Sequence, residues 1–156
     1  MGTGRHPGRG LLNCPMTAPK NRPSREWSAC MTWTAITSPD LPKPAGAYSH
    51  VIDTGTLVFT AGFGPQDPAT GAIPDGVEAQ TEQVIDNVEW ALAAVGLGLS
   101  DVVKTTVHLQ HLDRDFAAYD LAYGRRFTAP HPVRTTVGST LAGILVEIDA
   151  VAVRRS

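Results

Sequence analysis

Two stretches near the C-terminus decide how this chain folds: Pro132-Val133-Arg134-Thr135-Thr136-Val137 and Leu145-Val146-Glu147-Ile148-Asp149-Ala150-Val151. Their β-branched residues predict two strands. Each stretch carries a charge near its middle, Arg134 in the first and Glu147 in the second. A charge on a half-buried strand is costly unless it has a partner or a ligand. Arg134 and Glu147 are therefore the first candidates for a functional site.

The second stretch continues to Val153 and has two distinct faces. One face is uniformly apolar, and we assign it to a helical layer; it consists of Ile144, Val146, Ile148, Ala150 and Ala152. The other face carries Glu147 but also Leu145 and Val151, which are too apolar to stay in water. A second copy of the chain is the simplest cover for that face. The pattern therefore predicts an oligomer with Glu147 near the seam between subunits.

Upstream, residues 77–95 repeat apolar side chains at helical spacing, which predicts a first helix. Gly96 follows in a position typical of a helix end. We expect Asp75 and Glu78 to cap the start of this helix as a capping box. The outer face is acidic and is interpreted as solvated; it consists of Glu82, Asp86 and Glu89.

A second helix is predicted to begin near Asp113 and to stop before Pro130. Its apolar stripe is aromatic and consists of Phe116, Tyr119, Tyr123 and Phe127. Residues 102–111 alternate as a strand, with Val103 and Thr105 predicted on the same face. His108 and His111 then point to opposite faces, so we expect no metal site there.

With a short strand at 33–36 and a hairpin formed by 51–52 and 57–60, these elements predict an α+β fold. It is a single domain, a five- to six-stranded mixed sheet with two helices packed on one face. Residues 31–156 are assigned to this domain. Residues 1–30 are rich in glycine and proline and are expected to be a disordered extension, with Met31 the natural start.

Charge and cysteine content narrow the function classes. The first 30 residues hold five basic residues and one acid, whereas the rest of the chain holds eight basic and fourteen acidic residues. An acidic body disfavours a nonspecific nucleic-acid surface. Both cysteines, Cys14 and Cys30, precede the domain, so the domain has no thiol nucleophile. No apolar run is long enough to span a membrane, and a cytoplasmic location is the default expectation.

The two charged candidates suit a small anionic ligand. Arg134 offers a planar fork for a carboxylate, and Glu147 offers a base or an acceptor for water. The alternative is a structural Arg–Glu pair that holds strands or subunits together. Asp120 lies next to the aromatic stripe and is interpreted either as a surface acid or as a group that points into the protein.

Eight segments occur in an order and spacing typical of one family. They are Ala45-Gly46-Ala47-Tyr48-Ser49-His50, 57–62, 67–71, 80–84, 101–107, 115–116, Pro132-Val133-Arg134-Thr135 and 146–152. Through them, residues 34 to 155 resemble the Rid family, the reactive intermediate deaminases also called the YjgF family. The resemblance implies a fold like that of the small chorismate mutases and a homotrimer with sites between subunits. It also implies hydrolysis of 2-imino acids or their enamine tautomers to 2-keto acids and ammonia without a cofactor.

The same resemblance implies roles for individual residues. Arg134 matches an arginine that grips the substrate carboxylate, Glu147 a glutamate that orients the attacking water, and Tyr48 a tyrosine that lines the pocket. Well-known deaminases usually have Ser-Gly-Gln where this chain has Ala61-Gly62-Phe63, Asn in place of Asp120, and Cys or Ser in place of Thr136. We expect these positions to shape the pocket; as substrate-binding residues they are Tyr48, Gly62, Phe63, Asp120 and Thr136.

Two alternatives to the deaminase remain open. The chain could be a non-enzymatic family member that binds a small carboxylate, because Asp120 either adds negative charge to the pocket or pairs with Arg134 and weakens its grip. Ribonuclease or translation-inhibitor activity, associated with some relatives, fits the acidic body poorly.

Overall fold

Six strands form one mixed sheet in a computed structural model that describes residues 33–154. The strands are β1 (Thr34–Ile36), β2 (Val51–Asp53), β3 (Leu57–Thr60), β4 (Val102–Leu109), β5 (Val133–Gly138) and β6 (Val146–Val153). The helices are α1 (Val77–Ala93) and α2 (Leu112–Arg126). The order across the sheet is β1-β2-β3-β6-β4-β5, and the β4–β5 pair alone among these neighbours is parallel. The expected α+β fold is confirmed; the expected extension, residues 1–30, lies outside the described residues.

The apolar face of β6 forms the centre of the core, as its alternation predicts. Val146, Ile148 and Ala152 are fully buried, and Ala150 is nearly so. They pack beneath α1 and α2, whose buried side chains belong to the same hydrophobic cluster. The helical layer therefore covers one face of the sheet, and that arrangement assigns every strand residue to a helical or an open face.

The start of α1 differs from the capping-box prediction, which is wrong. Gly76 is the N-cap residue, with a φ of 81°, and no side chain caps the helix. This left-handed conformation favours glycine because a Cβ atom would be strained there. Asp75 precedes the cap and is exposed. Gly96, by contrast, closes the helix with a positive φ as expected.

The acidic face of α1 is an interhelical seam and not simply a solvated face. Arg126 of α2 contacts Glu82, Asp86 and Glu89 at 3.1, 2.8 and 2.9 Å. Arg125 contacts Glu82 as well, at 2.9 Å. Helical periodicity shows which acids share a face, but the partner comes from another element.

The prediction that Val103 and Thr105 lie on the same face of β4 is also wrong. The register between β4 and β6 shifts between Val102 and Lys104, and Val103 is 44% exposed. A β-bulge adds one residue to a strand and so moves the alternation by one position. From Lys104 onward the alternation is regular, with Thr105, Val107 and Leu109 buried.

The open face of the sheet keeps a large apolar area in contact with solvent. Phe59 is 40% exposed, and Leu57, Val133 and Val137 are exposed on the same face. This area is what the expected second copy would cover. Among residues 33–154, no helix is long and apolar enough to cross a membrane, and no group of acidic, histidine or cysteine side chains is arranged to hold a metal ion.

Candidate functional site

Arg134 and Glu147 lie on opposite faces of the sheet. Arg134 on β5 is beside Thr105 of β4, whose side chain is buried on the helical face. Glu147 on β6 is beside His108 of β4, three residues further along. Because successive strand residues alternate between faces, an odd separation places the two side chains on different sides. They form no ion pair within one chain, and each opens into its own cavity.

Arg134 opens into the smaller of the two cavities, the arginine cavity. It measures about 460 Å³ and is lined by Asp120, Tyr123, Gly124, Phe127, His131, Pro132 and Arg134. Arg134 Nη1 donates a hydrogen bond of 2.7 Å to Asp120 Oδ1. The structure thus shows the pairing that was one of the expectations for Asp120.

Aromatic rings of α2 support the Arg134 guanidinium from below. Its central carbon lies 4.8 Å from the ring centre of Tyr123 and 5.4 Å from that of Tyr119. Phe116 is further away, at 6.0 Å. A guanidinium over an aromatic face gains a cation–π attraction and loses rotational freedom. Within the predicted aromatic stripe, Tyr119, Tyr123 and Phe127 belong to the core, whereas Phe116 is 41% exposed. The rings of Tyr119 and Tyr123 also form a platform for Arg134.

The protonation states of this cluster are fixed by burial and by the ion pair. Burial raises the pKa of Tyr119 to about 12, and burial also raises the pKa of Tyr123. For Arg134, desolvation lowers the pKa, but the hydrogen bond to Asp120 and the charges around it raise the pKa above its ordinary value. At neutral pH the arginine is therefore charged and rests on neutral rings.

The glutamate cavity is larger, about 770 Å³, and includes Glu147 near the start of β6. Its walls include the loops before β2 and after β3, and the segment that leads into β6. Four residues expected in the pocket line it: Tyr48, Gly62, Phe63 and Glu147. Within residues 33–154 the Glu147 carboxylate has no hydrogen-bond or ion-pair partner. Both oxygens of this carboxylate therefore keep unused hydrogen-bond acceptor capacity.

Polar residues that the sequence reasoning did not single out hold the walls of this cavity. Asn87 on α1 donates to the carbonyl oxygens of Gly64 and Gln66, both at 2.9 Å. Gln80, also on α1, accepts a hydrogen bond of 2.8 Å from the Leu145 backbone. Both side chains are buried on the apolar face of α1. A buried polar residue within an apolar stripe is the signal that could have identified them.

The two remaining expected pocket residues to describe are Phe63, which is buried beneath the glutamate cavity, and Thr136, which lines neither cavity. The Phe63 ring is buried in the core and packs against His50 at 5.8 Å, so it forms the floor of the glutamate cavity. Thr136 follows Arg134 by two residues on β5, and its hydroxyl is 3.5 Å from the Tyr119 hydroxyl, a long contact. Thr136 is therefore next to the aromatic platform, on the arginine side.

Known proteins resemble this chain over the part that the structure describes. Residues 38–154 match the model of a family described as Endoribonuclease L-PSP, which is the YjgF or Rid family. The chain belongs to this family. Both candidate charges of this Rid family protein, and both cavities, lie inside the matched range.

Individual relatives cover most of the described chain. Protein DfrA of Myxococcus xanthus is 44% identical over 128 residues, which are 79% of this chain and 97% of the relative. The 2-iminobutanoate/2-iminopropanoate deaminase of Salmonella typhimurium is 38% identical over 125 residues, 77% of this chain and 97% of that enzyme. The crystal structure of Escherichia coli TdcF with bound serine superposes with a TM-score of 0.71 at 34% identity, covering 78% of this chain and 99% of TdcF. The Rid fold of the chain is thereby established.

Proposed function

We propose that this Rid family protein hydrolyses 2-imino acids, or their enamine tautomers, to 2-keto acids and ammonia. The observation that carries the proposal is the character of the two cavities. One holds an arginine fixed on an aromatic platform, and the other holds a glutamate without a partner in the described chain. The 38% identity to an enzyme named as a 2-iminobutanoate/2-iminopropanoate deaminase supports this choice of reaction.

Arg134 would fix the substrate through its carboxylate. A guanidinium binds a carboxylate through two parallel N–H donors, which sets the plane of the bound molecule. In Arg134 only Nη1 is engaged, by Asp120, so Nη2 and Nε keep donor capacity. Substrate held in one orientation presents its imine carbon to water in a fixed geometry.

Glu147 would act on the water. Its carboxylate takes a proton from water as the oxygen bonds to the imine carbon, and the C=N π electrons move to the nitrogen. The resulting aminoalcohol is protonated on nitrogen by Glu147. The C–N bond then breaks, ammonia leaves with the bonding pair, and loss of the hydroxyl proton gives the 2-keto acid. A protonated imine is already electrophilic, so a carboxylate is a sufficient base.

Both residues would act on one substrate if two copies of the chain meet. The opposite orientation of Arg134 and Glu147 prevents a joint site within one copy, and the exposed apolar sheet face needs a cover. We propose a homotrimer in which each site takes Arg134 from one copy and Glu147 from its neighbour. Cavities formed between subunits are common ligand sites.

The test generates 2-iminobutanoate and 2-iminopropanoate in place with a threonine/serine dehydratase and follows loss of the imine. We expect the protein to accelerate this loss. Arg134→Ala should reduce the acceleration by at least about 100-fold, as expected for loss of a contact made in the transition state. Arg125→Ala is the matched control, because it removes the same charge outside both cavities.

Thermal unfolding of each variant shows whether the fold is intact. Equal rates of imine loss with and without the wild-type protein would reject the deaminase. The non-enzymatic alternative, a small-carboxylate binder, is favoured by the contact of Asp120 with Arg134. This alternative predicts that calorimetry detects binding of 2-oxobutanoate to the protein, whereas the protein does not accelerate loss of the imine.

A further inference from the structure

The ion pair between Arg134 and Asp120 is a single-point contact with unused bonding capacity on both sides. Only Arg134 Nη1 and Asp120 Oδ1 are joined, at 2.7 Å. Asp120 Oδ2 has no hydrogen bond or ion pair within residues 33–154, and the Asp120 side chain is 48% exposed. The pair offers a donor edge and an acceptor oxygen next to each other, so the site as a whole has little net charge.

Such a pair discriminates between ligands by their charge. A ligand with only a carboxylate is attracted to Arg134 but repelled by Asp120 at nearly the same distance. A ligand that carries a cation as well as the carboxylate contacts both groups with favourable sign. Asp120 therefore weakens the binding of simple carboxylates and strengthens that of ligands with both charges.

The rest of the arginine cavity suits a cationic group. The rings of Tyr123 and Phe127 are stacked with centres 4.4 Å apart and form an aromatic wall. His131 also lines the cavity and donates a hydrogen bond from Nδ1 to the Phe127 carbonyl oxygen at 3.0 Å. Aromatic side chains and a carboxylate are groups that bind ammonium and guanidinium ions.

The volume of the cavity points the same way. Within one copy the cavity measures about 460 Å³, which falls in the range of roughly 300–1,000 Å³ typical of ligand pockets and exceeds the volume of a three-carbon imino acid. A longer side chain that starts at a carboxylate on Arg134 has room to extend along the aromatic wall.

We propose that Asp120 is a specificity-determining residue, and that this cavity selects 2-imino acids whose side chains end in a positive charge. This inference rests on the proposed deaminase function and adds the substrate class. The test compares an imine with a guanidinium side chain, made from L-arginine by an L-amino-acid oxidase with catalase, with 2-iminobutanoate made from L-2-aminobutyrate in the same way.

Asp120→Asn is the decisive variant, because it keeps the shape and removes the charge. We expect its kcat/KM to fall for the guanidinium imine and to rise for 2-iminobutanoate, so that the preference changes by at least about fivefold, the scale of a partly exposed ion pair. Asp113→Asn is the control, because Asp113 is an exposed acid on the same helix, outside the cavity. Its preference should equal that of the wild type.

Calorimetry with the stable keto acids 5-guanidino-2-oxopentanoate and 2-oxobutanoate separates the two hypotheses. If both imines are hydrolysed but Asp120→Asn leaves the preference unchanged, the specificity inference is overturned and the deaminase stands. If neither imine is hydrolysed, the deaminase function is rejected, and only the binding of the two keto acids tests the specificity of the cavity. If the wild-type protein binds 5-guanidino-2-oxopentanoate more tightly than 2-oxobutanoate and Asp120→Asn loses this preference, the specificity assigned to the cavity is supported. Equal affinity of the wild-type protein for both keto acids overturns it.

Discussion

Gly62 determines where the Glu147 carboxylate can lie. A Cβ atom on Gly62 would come within 2.7 Å of Glu147 Oε1 and 3.0 Å of its Cδ. Contacts this short do not occur, so the glutamate side chain would have to move. Because Glu147 is flexible and unpaired, that move costs little stability, although it displaces the group proposed to activate water.

Gly62→Ala should therefore impair catalysis more than folding. We expect kcat to fall about tenfold or more with a smaller change in KM, since Arg134 still binds the carboxylate, and only a small change in melting temperature. Steady-state kinetics and thermal unfolding provide the two readouts. Gly98→Ala is the control, because a Cβ on Gly98 meets no atom within 4 Å. Unchanged kcat in Gly62→Ala would refute the role given to Glu147.

The two helices are joined by charge as well as by apolar packing. The last turn of α2 places Arg126 among three acids of α1, and its side chain is 23% exposed. A cation in the last turn also interacts favourably with the helix dipole. Arg125, beside it, is half exposed and bridges Glu78 and Glu82. The seam positions α2, and with it the aromatic platform under Arg134.

Arg126→Gln should lower the free energy of unfolding by about 1 kcal/mol at low salt, as expected for a network of ion pairs. The loss should shrink at high salt, because screening weakens the pairs of the wild type. Urea unfolding at two salt concentrations measures both effects. Arg125→Gln should have a smaller effect, since its pairs are more exposed to solvent. A loss that does not depend on salt would show that packing of the Arg126 stem, and not charge, joins the helices.

At the scale of the whole molecule, the two halves of the proposed site belong to different faces of one sheet. β5 is an edge strand, so Arg134 is available to a neighbouring copy, and Glu147 belongs to the face with the exposed apolar residues. An assembly that covers this face could bring the arginine cavity of one copy to the glutamate cavity of the next.

Mixed oligomers test this arrangement. Arg134→Ala and Glu147→Gln should each be nearly inactive alone, whereas subunits refolded together should recover about a quarter of the wild-type activity. That fraction is the share of randomly assembled interfaces that combine an intact Arg134 with an intact Glu147. Sedimentation checks the assembly, and affinity-tagged subunits check the mixing. The control mixes Arg134→Ala subunits with subunits that carry both Arg134→Ala and Glu147→Gln, and it should recover no activity. No recovery in a verified mixed oligomer would overturn the proposal that Arg134 and Glu147 of neighbouring copies share one site.

Much of the fold could be predicted from local patterns. The alternation of β6 identified its buried face, and the spacing of α1 identified its stripe, because burial on one face leaves a regular period in the sequence. The capping box failed because Gly76 begins the helix through a backbone conformation, and the Val103 assignment failed because a bulge leaves no periodic signal. Asn87 and Gln80 were missed because their partners are loop carbonyl and amide groups far away in sequence.

The sequence by itself determined the elements, the core and the two charges that required an explanation, since these depend on residue type and spacing along one strand or helix. Only the tertiary structure decided that Arg134 pairs with Asp120 on an aromatic platform and that Glu147 opens into a separate cavity. Those facts depend on which face of which strand meets which helix. Strand order and register set that relation, and no local pattern encodes it.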